Sequence, residues 1–179
     1  MPESTAKGRI DMGEPESDGV TTPMVRNIQI VVAALITGVV VFAVLAVYIR
    51  SQNPAPMAQP VPRISYLAIG FTIFMLLART LAVPVIANLS RKRLLAGPSP
   101  STRQLMEHYS ARTIFGSALL EGAAFFMLLA YLTEGLPWTL AGGLVMAGLL
   151  AVMQFPTRPR VEAAIEADRR AVEDERRAG

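Results

Sequence analysis

The chain has no cysteine, one histidine and one tryptophan among 179 residues, and only 17% of it is charged. Without cysteine there is no disulfide scaffold, and the lone histidine, His108, leaves no ligand cage for a transition metal. No GxSxG, HExxH, P-loop or GxGxxG pattern occurs, so no metal and no cofactor is expected, and the ordinary catalytic constellations are missing. Charge is scarce against the roughly 25% usual in soluble domains, whereas apolar residues reach 52%. They are gathered into four blocks nearly free of charge. That distribution excludes an ordinary soluble globular domain and a disordered chain.

A membrane helix needs about 20 mainly apolar residues to cross about 30 Å of hydrocarbon. Residues 28–49 contain no charge, 64–88 contain only Arg79, with Pro84 beyond it, 114–132 contain only Glu121, and 138–155, opened by Pro137, contain none. The expected fold class is all-α: a polytopic membrane protein whose four transmembrane helices form an antiparallel bundle. A polar, mostly acidic leader precedes the first span where a cleavable signal would have a short basic region, so this span reads as a retained anchor.

Orientation follows from lysine and arginine. Lys7, Arg9, Arg26, Arg91, Lys92, Arg93, Arg103, Arg112 and the C-terminal arginines fall on one side, Arg50 and Arg63 on the other. Both termini are therefore expected in the cytoplasm, and the protein in the bacterial cytoplasmic (inner) membrane as a multi-pass chain. Tyr48, Tyr66, Tyr131 and Trp138 land at the opposite boundary, where an aromatic belt belongs. The formal charge of +3 does not point to nucleic acid, because the basic residues flank the apolar blocks or share the tail with acids.

The flanks divide the chain into a leader (1–27), a membrane domain (28–155) and a charged tail (156–179). Residues 1–23 are rich in Pro, Gly, Ser and acids, a composition expected to stay disordered. The outer loop 50–63 holds Pro54, Pro56, Pro60 and Pro62 and should be extended. Ser101 with Gln104 fits a capping box, so the third helix should start near Thr102 and project from the membrane on its cytoplasmic side. The tail reads as a surface helix over 160–178, with a thin apolar stripe of Val161, Ala164, Ile165 and Val172. Its opposite-charge pairs at i,i+4 are Glu166/Arg170, Arg169/Glu173, Arg170/Asp174 and Glu173/Arg177. The stripe is narrow, and a solvated helix is expected over a docked one. Gly142, Gly143 and Gly148 look like packing positions in the fourth span.

Arg79 and Glu121 carry the interest. A charge in mid-bilayer costs from about 2.5 kcal/mol upward and ordinarily faces a partner or a cavity. Each lies eleven residues from the cytoplasmic end of its helix, counted to Ser90 and from Ser110. With a rise of about 1.5 Å per residue, both backbones sit about 16 Å deep. An Arg79–Glu121 ion pair joining the second and third helices is the expectation, with Ser117 one turn away to add a hydrogen bond. Ala118 and Gly122 would allow close helix approach. The other reading of Glu121 is a proton or cation site.

The stretch 111–132, Ala-Arg-Thr-Ile-Phe-Gly-Ser-Ala-Leu-Leu-Glu-Gly-Ala-Ala-Phe-Phe-Met-Leu-Leu-Ala-Tyr-Leu, resembles a segment of small bacterial four-helix membrane proteins without an assigned function. The likeness extends over roughly residues 25–155. The Ala-Leu-Leu-Glu-Gly core also looks like the carboxylate-bearing helix of the ATP synthase proteolipid, the c subunit. That resemblance implies proton carriage by Glu121. It departs from the family in its longer inner loop, which lacks the Arg-Gln-Pro turn, in the bulky residues of the preceding helix, and in the arginine carried on the same chain. The function expected is that of a non-enzymatic structural or accessory subunit. The alternatives are a proteolipid-like proton- or cation-translocating subunit using Glu121 and, further off, a membrane-embedded enzyme. The partners expected are the lipid bilayer and either a second copy or a membrane complex, with no nucleic acid.

Overall fold

The computed structural model describes residues 22–53, 63–95 and 101–178, which form five helices and, among the described residues, no strand. These are α1 (Thr22–Gln52), α2 (Arg63–Leu95), α3 (Thr102–Glu134), α4 (Pro137–Gln154) and α5 (Arg158–Ala178). The first four are long and apolar enough to cross a membrane. In hydrocarbon every backbone N–H and C=O must be satisfied within the chain, which a helix does along its whole length. Helix α2 continues unbroken across Pro84. The expectations of disorder over 1–23 and of an extended 50–63 loop lie largely outside the described residues, although α1 takes in the end of the leader from Thr22.

Local sequence sets the helix ends. Ser101 caps α3 as expected: its side chain accepts from the Gln104 N–H at 3.3 Å, and the Gln104 side chain accepts from the Ser101 N–H at 3.1 Å. At the other end Gly135 takes the left-handed conformation (φ 72°) and donates to the Tyr131 carbonyl at 2.8 Å. Pro137 then opens α4 at a position where its missing N–H costs nothing.

Helix α3 is the element around which the others are arranged. Half of its most apolar stretch is buried, against 22% for α1 and α4 and 6% for α2. Its 33 residues extend about 50 Å at about 1.5 Å per residue, well beyond the about 30 Å of a hydrocarbon core. Small residues carry the closest contacts. Val39, Ala43, Ala124, Leu128 and Ala147 form one cluster joining α1, α3 and α4. A Cβ on Gly142 would lie 2.2 Å from the Met127 methyl, and one on Gly143 2.8 Å from Leu128. Those two glycines admit α4 against α3. Gly148 and Gly122, expected to pack in the same way, instead face open space.

The order of contacts along α3 fixes how its neighbours lie. Val25, Ile28 and Val32 of α1 meet Leu105, Met106 and Tyr109, and further along Gly38 meets Glu121 and Phe125. On α2, Ala68 meets Met127 and Ala130, whereas Arg79 lies beside Gly116. On α4, Gly142 touches Met127 and Gln154 lies beside Gly116.

The tail departs from expectation. Val161, Ile165 and Val172 are buried, and the first two pack with Val25, Ile28 and Val32 of α1 and Leu105, Met106 and Tyr109 of α3. The solvated reading underestimated the partner surface: α1 and α3 both run past the apolar spans and together offer a groove for a narrow stripe. Polar contacts fix the same joint. Arg169 donates to the Thr102 hydroxyl at 3.0 Å, and the Gln29 amide donates to the Pro156 carbonyl at 2.9 Å. On the outward face of α5 the expected Glu166–Arg170 pair forms at 2.9 Å, beside Arg158–Glu162 at 2.7 Å. Replacing Ile165 with Asp removes a buried side chain worth about 1.5–3 kcal/mol and puts a charge in its place. Trypsin should then cut at Arg169 and Arg170 about tenfold faster or more than in the parent chain; unchanged cutting would mean that α5 is not held by this stripe.

Candidate functional site

Arg79 of α2 lies against the end of α4 and the Gly116 face of α3. With the Gln154 amide oxygen turned to the guanidinium, it accepts from Nε at 3.3 Å and from a second guanidinium nitrogen. Another nitrogen lies 3.9 Å from the Met153 sulfur. Gly116 makes room for this arrangement, since a Cβ there would come within 3.7 Å of the Arg79 Nε and 3.3 Å of Gln154. The guanidinium is therefore held by α4 across the face of α3.

Glu121 is elsewhere on α3. Its Oε1 lies 3.8 Å from where a Cβ of Gly38 would stand, between α1 and the Phe125 ring. Arg79 and Glu121 form no ion pair among the described residues. Two geometric reasons account for it. Gly116 and Glu121 are five residues apart, about 140° around the helix at about 100° per residue, so the two groups address different neighbours. The contact order also offsets the two backbones: Ala68 lies against Met127 and Ala130, and eleven residues further along α2 Arg79 comes beside Gly116, not Glu121. The backbones do not share the level that counting from the helix ends implies.

Ser117 is fully buried, but its hydroxyl donates to the Thr113 carbonyl at 2.8 Å, one turn back on its own helix. It does not bond Glu121. The Thr72 hydroxyl of α2 is buried without a hydrogen-bond partner among the described residues.

A second polar cluster, not expected from the sequence, closes the opposite end. The Glu134 carboxylate accepts from the backbone N–H groups of Ile64 at 2.7 Å and Ser65 at 3.0 Å, and from the Ser65 hydroxyl. These are the second and third residues of α2, so a side chain of α3 serves as its N-cap. Arg50 at the end of α1 donates to the Glu134 carbonyl at 3.3 Å. Its guanidinium fills the space over Gly135, where an added Cβ would be 2.0 Å from it. The sequence held one signal of this arrangement: α2 starts directly after Pro62, which has no side chain able to cap.

No group of three or more His, Cys, Asp or Glu able to hold a metal occurs among the described residues. Comparison with family models, characterised proteins and solved structures returns no match. Replacing Glu134 with Ala removes the acceptors for the Ile64 and Ser65 N–H donors of α2 and should cost about 1–2 kcal/mol. This would be read as a lowered midpoint of unfolding in detergent micelles. Glu134→Gln, which keeps an acceptor, should recover part of the loss; an Ala variant as stable as the parent would show that the cap is dispensable.

Proposed function

We propose that the chain is a multi-pass protein of the bacterial cytoplasmic membrane, with both termini in the cytoplasm and its four apolar helices in an antiparallel, up-and-down bundle. Its role is that of a non-enzymatic structural or accessory subunit. The observation that carries this reading is that polar side chains at the helix ends and along the spans join one helix to another: Arg79 to Gln154, Glu134 to the start of α2, Arg50 to the end of α3, Gln29 to the turn before α5. The contact order along α3 supports the alternating directions. Tyr48, Tyr66 and Trp138 are exposed at the end opposite the basic flanks, which supports the orientation.

The absence of native cysteine makes the placement directly testable. Single cysteines at Ser51 and at Ala178 should be labelled by an impermeant maleimide from opposite sides, Ser51 in intact cells and Ala178 only in inverted vesicles. Labelling of both from one side would contradict three crossings, by α2, α3 and α4, between them.

A second reading rests on Glu121. It is a carboxylate in mid-span, seated against a glycine, with no basic group bonded to it among the described residues. A carboxylate so placed favours proton exchange, the role that the resemblance to the proteolipid carboxylate helix implies. A hydrophobic carbodiimide applied to membranes should modify Glu121 selectively, with more product at lower pH and none in Glu121→Gln. If Glu121 stays unmodified where a proteolipid control reacts, only the structural reading remains.

A further inference from the structure

The surroundings of Arg79 contain more positive charge than helix joining requires. A cavity of about 200 Å3 between α2, α3 and α4 is walled by Arg79, Tyr109, Arg112, Thr113, Gly116 and Gln154, with Val83 and Met153 at its edge. Two arginines thus line one small space and, among the described residues, no carboxylate does. Arg112 is half-buried and stacks over Tyr109, 5.9 Å from the ring centroid. Gln154 positions Arg79 but, being neutral, does not offset its charge. Two like charges in a partly desolvated space repel unless an anion sits with them.

A second cavity, of about 380 Å3, adjoins the first and is walled by Leu76, Arg79, Thr80, Val83, Pro84 and Met153. Arg79, Val83 and Met153 belong to both. This outer space is apolar apart from Arg79: the Thr80 hydroxyl is tied to the Leu77 carbonyl at 2.8 Å. A polar compartment with two arginines therefore opens, past one of them, into an apolar groove between α2 and the end of α4.

We propose that this joint cavity binds an anionic phospholipid, its phosphate between Arg79 and Arg112 and an acyl chain along Leu76, Val83 and Pro84. Guanidinium forks match phosphate oxygens bidentately, and basic pockets between membrane helices near the cytoplasmic face suit anionic head groups. The apolar groove selects a lipid over free phosphate, which would use the inner compartment alone. The two arginines select an anionic over a zwitterionic head group. The site rests on the chain spanning a membrane and is independent of any role for Glu121.

The test is native mass spectrometry of the full chain, stripped of lipid in mild detergent and titrated with phosphatidylglycerol or phosphatidylcholine. The parent chain should retain phosphatidylglycerol about tenfold more tightly or better. Arg112→Gln should abolish most of that preference and Arg112→Lys should keep part of it. Should Arg112→Gln fail to fold, Val83→Trp narrows the groove while keeping both guanidinium charges in the chain and should lose phosphatidylglycerol as well. Equal retention of the two lipids by the parent, or undiminished phosphatidylglycerol in the folded variants, would overturn the site. Displacement of phosphatidylglycerol by millimolar inorganic phosphate would overturn the lipid occupant in favour of a free anion. A chain that partitions into vesicles yet shows no lipid preference loses this inference and keeps its membrane placement; one that does not partition loses the placement itself.

Discussion

Hydrocarbon supplies no hydrogen bonds, so each polar group carried into it must find its partner inside the chain or reach out of the span. The arrangement around α3 follows from that constraint. Its flanking helices touch it through alanines, glycines, branched residues and two pairs of phenylalanines, contacts that lipid tails could replace at little cost, since there is no hydrophobic drive between helices in lipid. Polar links add specificity to this packing. Glu134 supplies the acceptors that the first turn of α2 lacks, and Gln154 brings α4 to Arg79 across the Gly116 face of α3.

How far the sequence could be read follows the same division. The apolar blocks and the Ser101 capping box depend on local composition, and α1 to α4 lie where those signals place them, lengthened only where polar ends continue the helix outside the apolar run. Rotational position is different. Helix α3 is apolar on nearly all sides from Ile114 to Leu132, so its pattern does not say which face meets α1 and which meets α2. Without that angle, Arg79 and Glu121 look like partners because counting from the helix ends puts their backbones at one depth. Gly38, the α1 residue that Glu121 meets, carries no signal of its own in a run of small and branched apolar residues.

The docking of α5 shows why an amphipathic stripe cannot be judged alone. Val161, Ile165 and Val172 are few, and against a single helix they would bury little. The groove that Val161 and Ile165 enter is made by two helices at once, from Val25, Ile28 and Val32 on one wall and Leu105, Met106 and Tyr109 on the other. Met24 and Val25 read as leader ahead of the first apolar span until α1 is seen to begin at Thr22, and residues 102–110 look like a loop-proximal extension until α5 lies along them. The partner surface was legible only once helices were allowed to outrun the membrane.

The separation of Arg79 from Glu121 assigns the two charges to different physical regimes. Arg79 lies beside Gly116 and Gln154, in the compartment that Arg112 and Thr113 also line. Glu121 lies further along α3, against Gly38. The arginine therefore joins a basic compartment near the helix ends, where head groups and counter-ions can approach, while the glutamate remains in the span with an apolar ring and a glycine for neighbours. Had the two been paired, each would have cancelled the other and neither region would carry chemistry of its own. They are held apart on different faces of α3: the guanidinium has Gln154 and Arg112 for neighbours and the carboxylate has Gly38 and Phe125, so the two charges cannot neutralise one another.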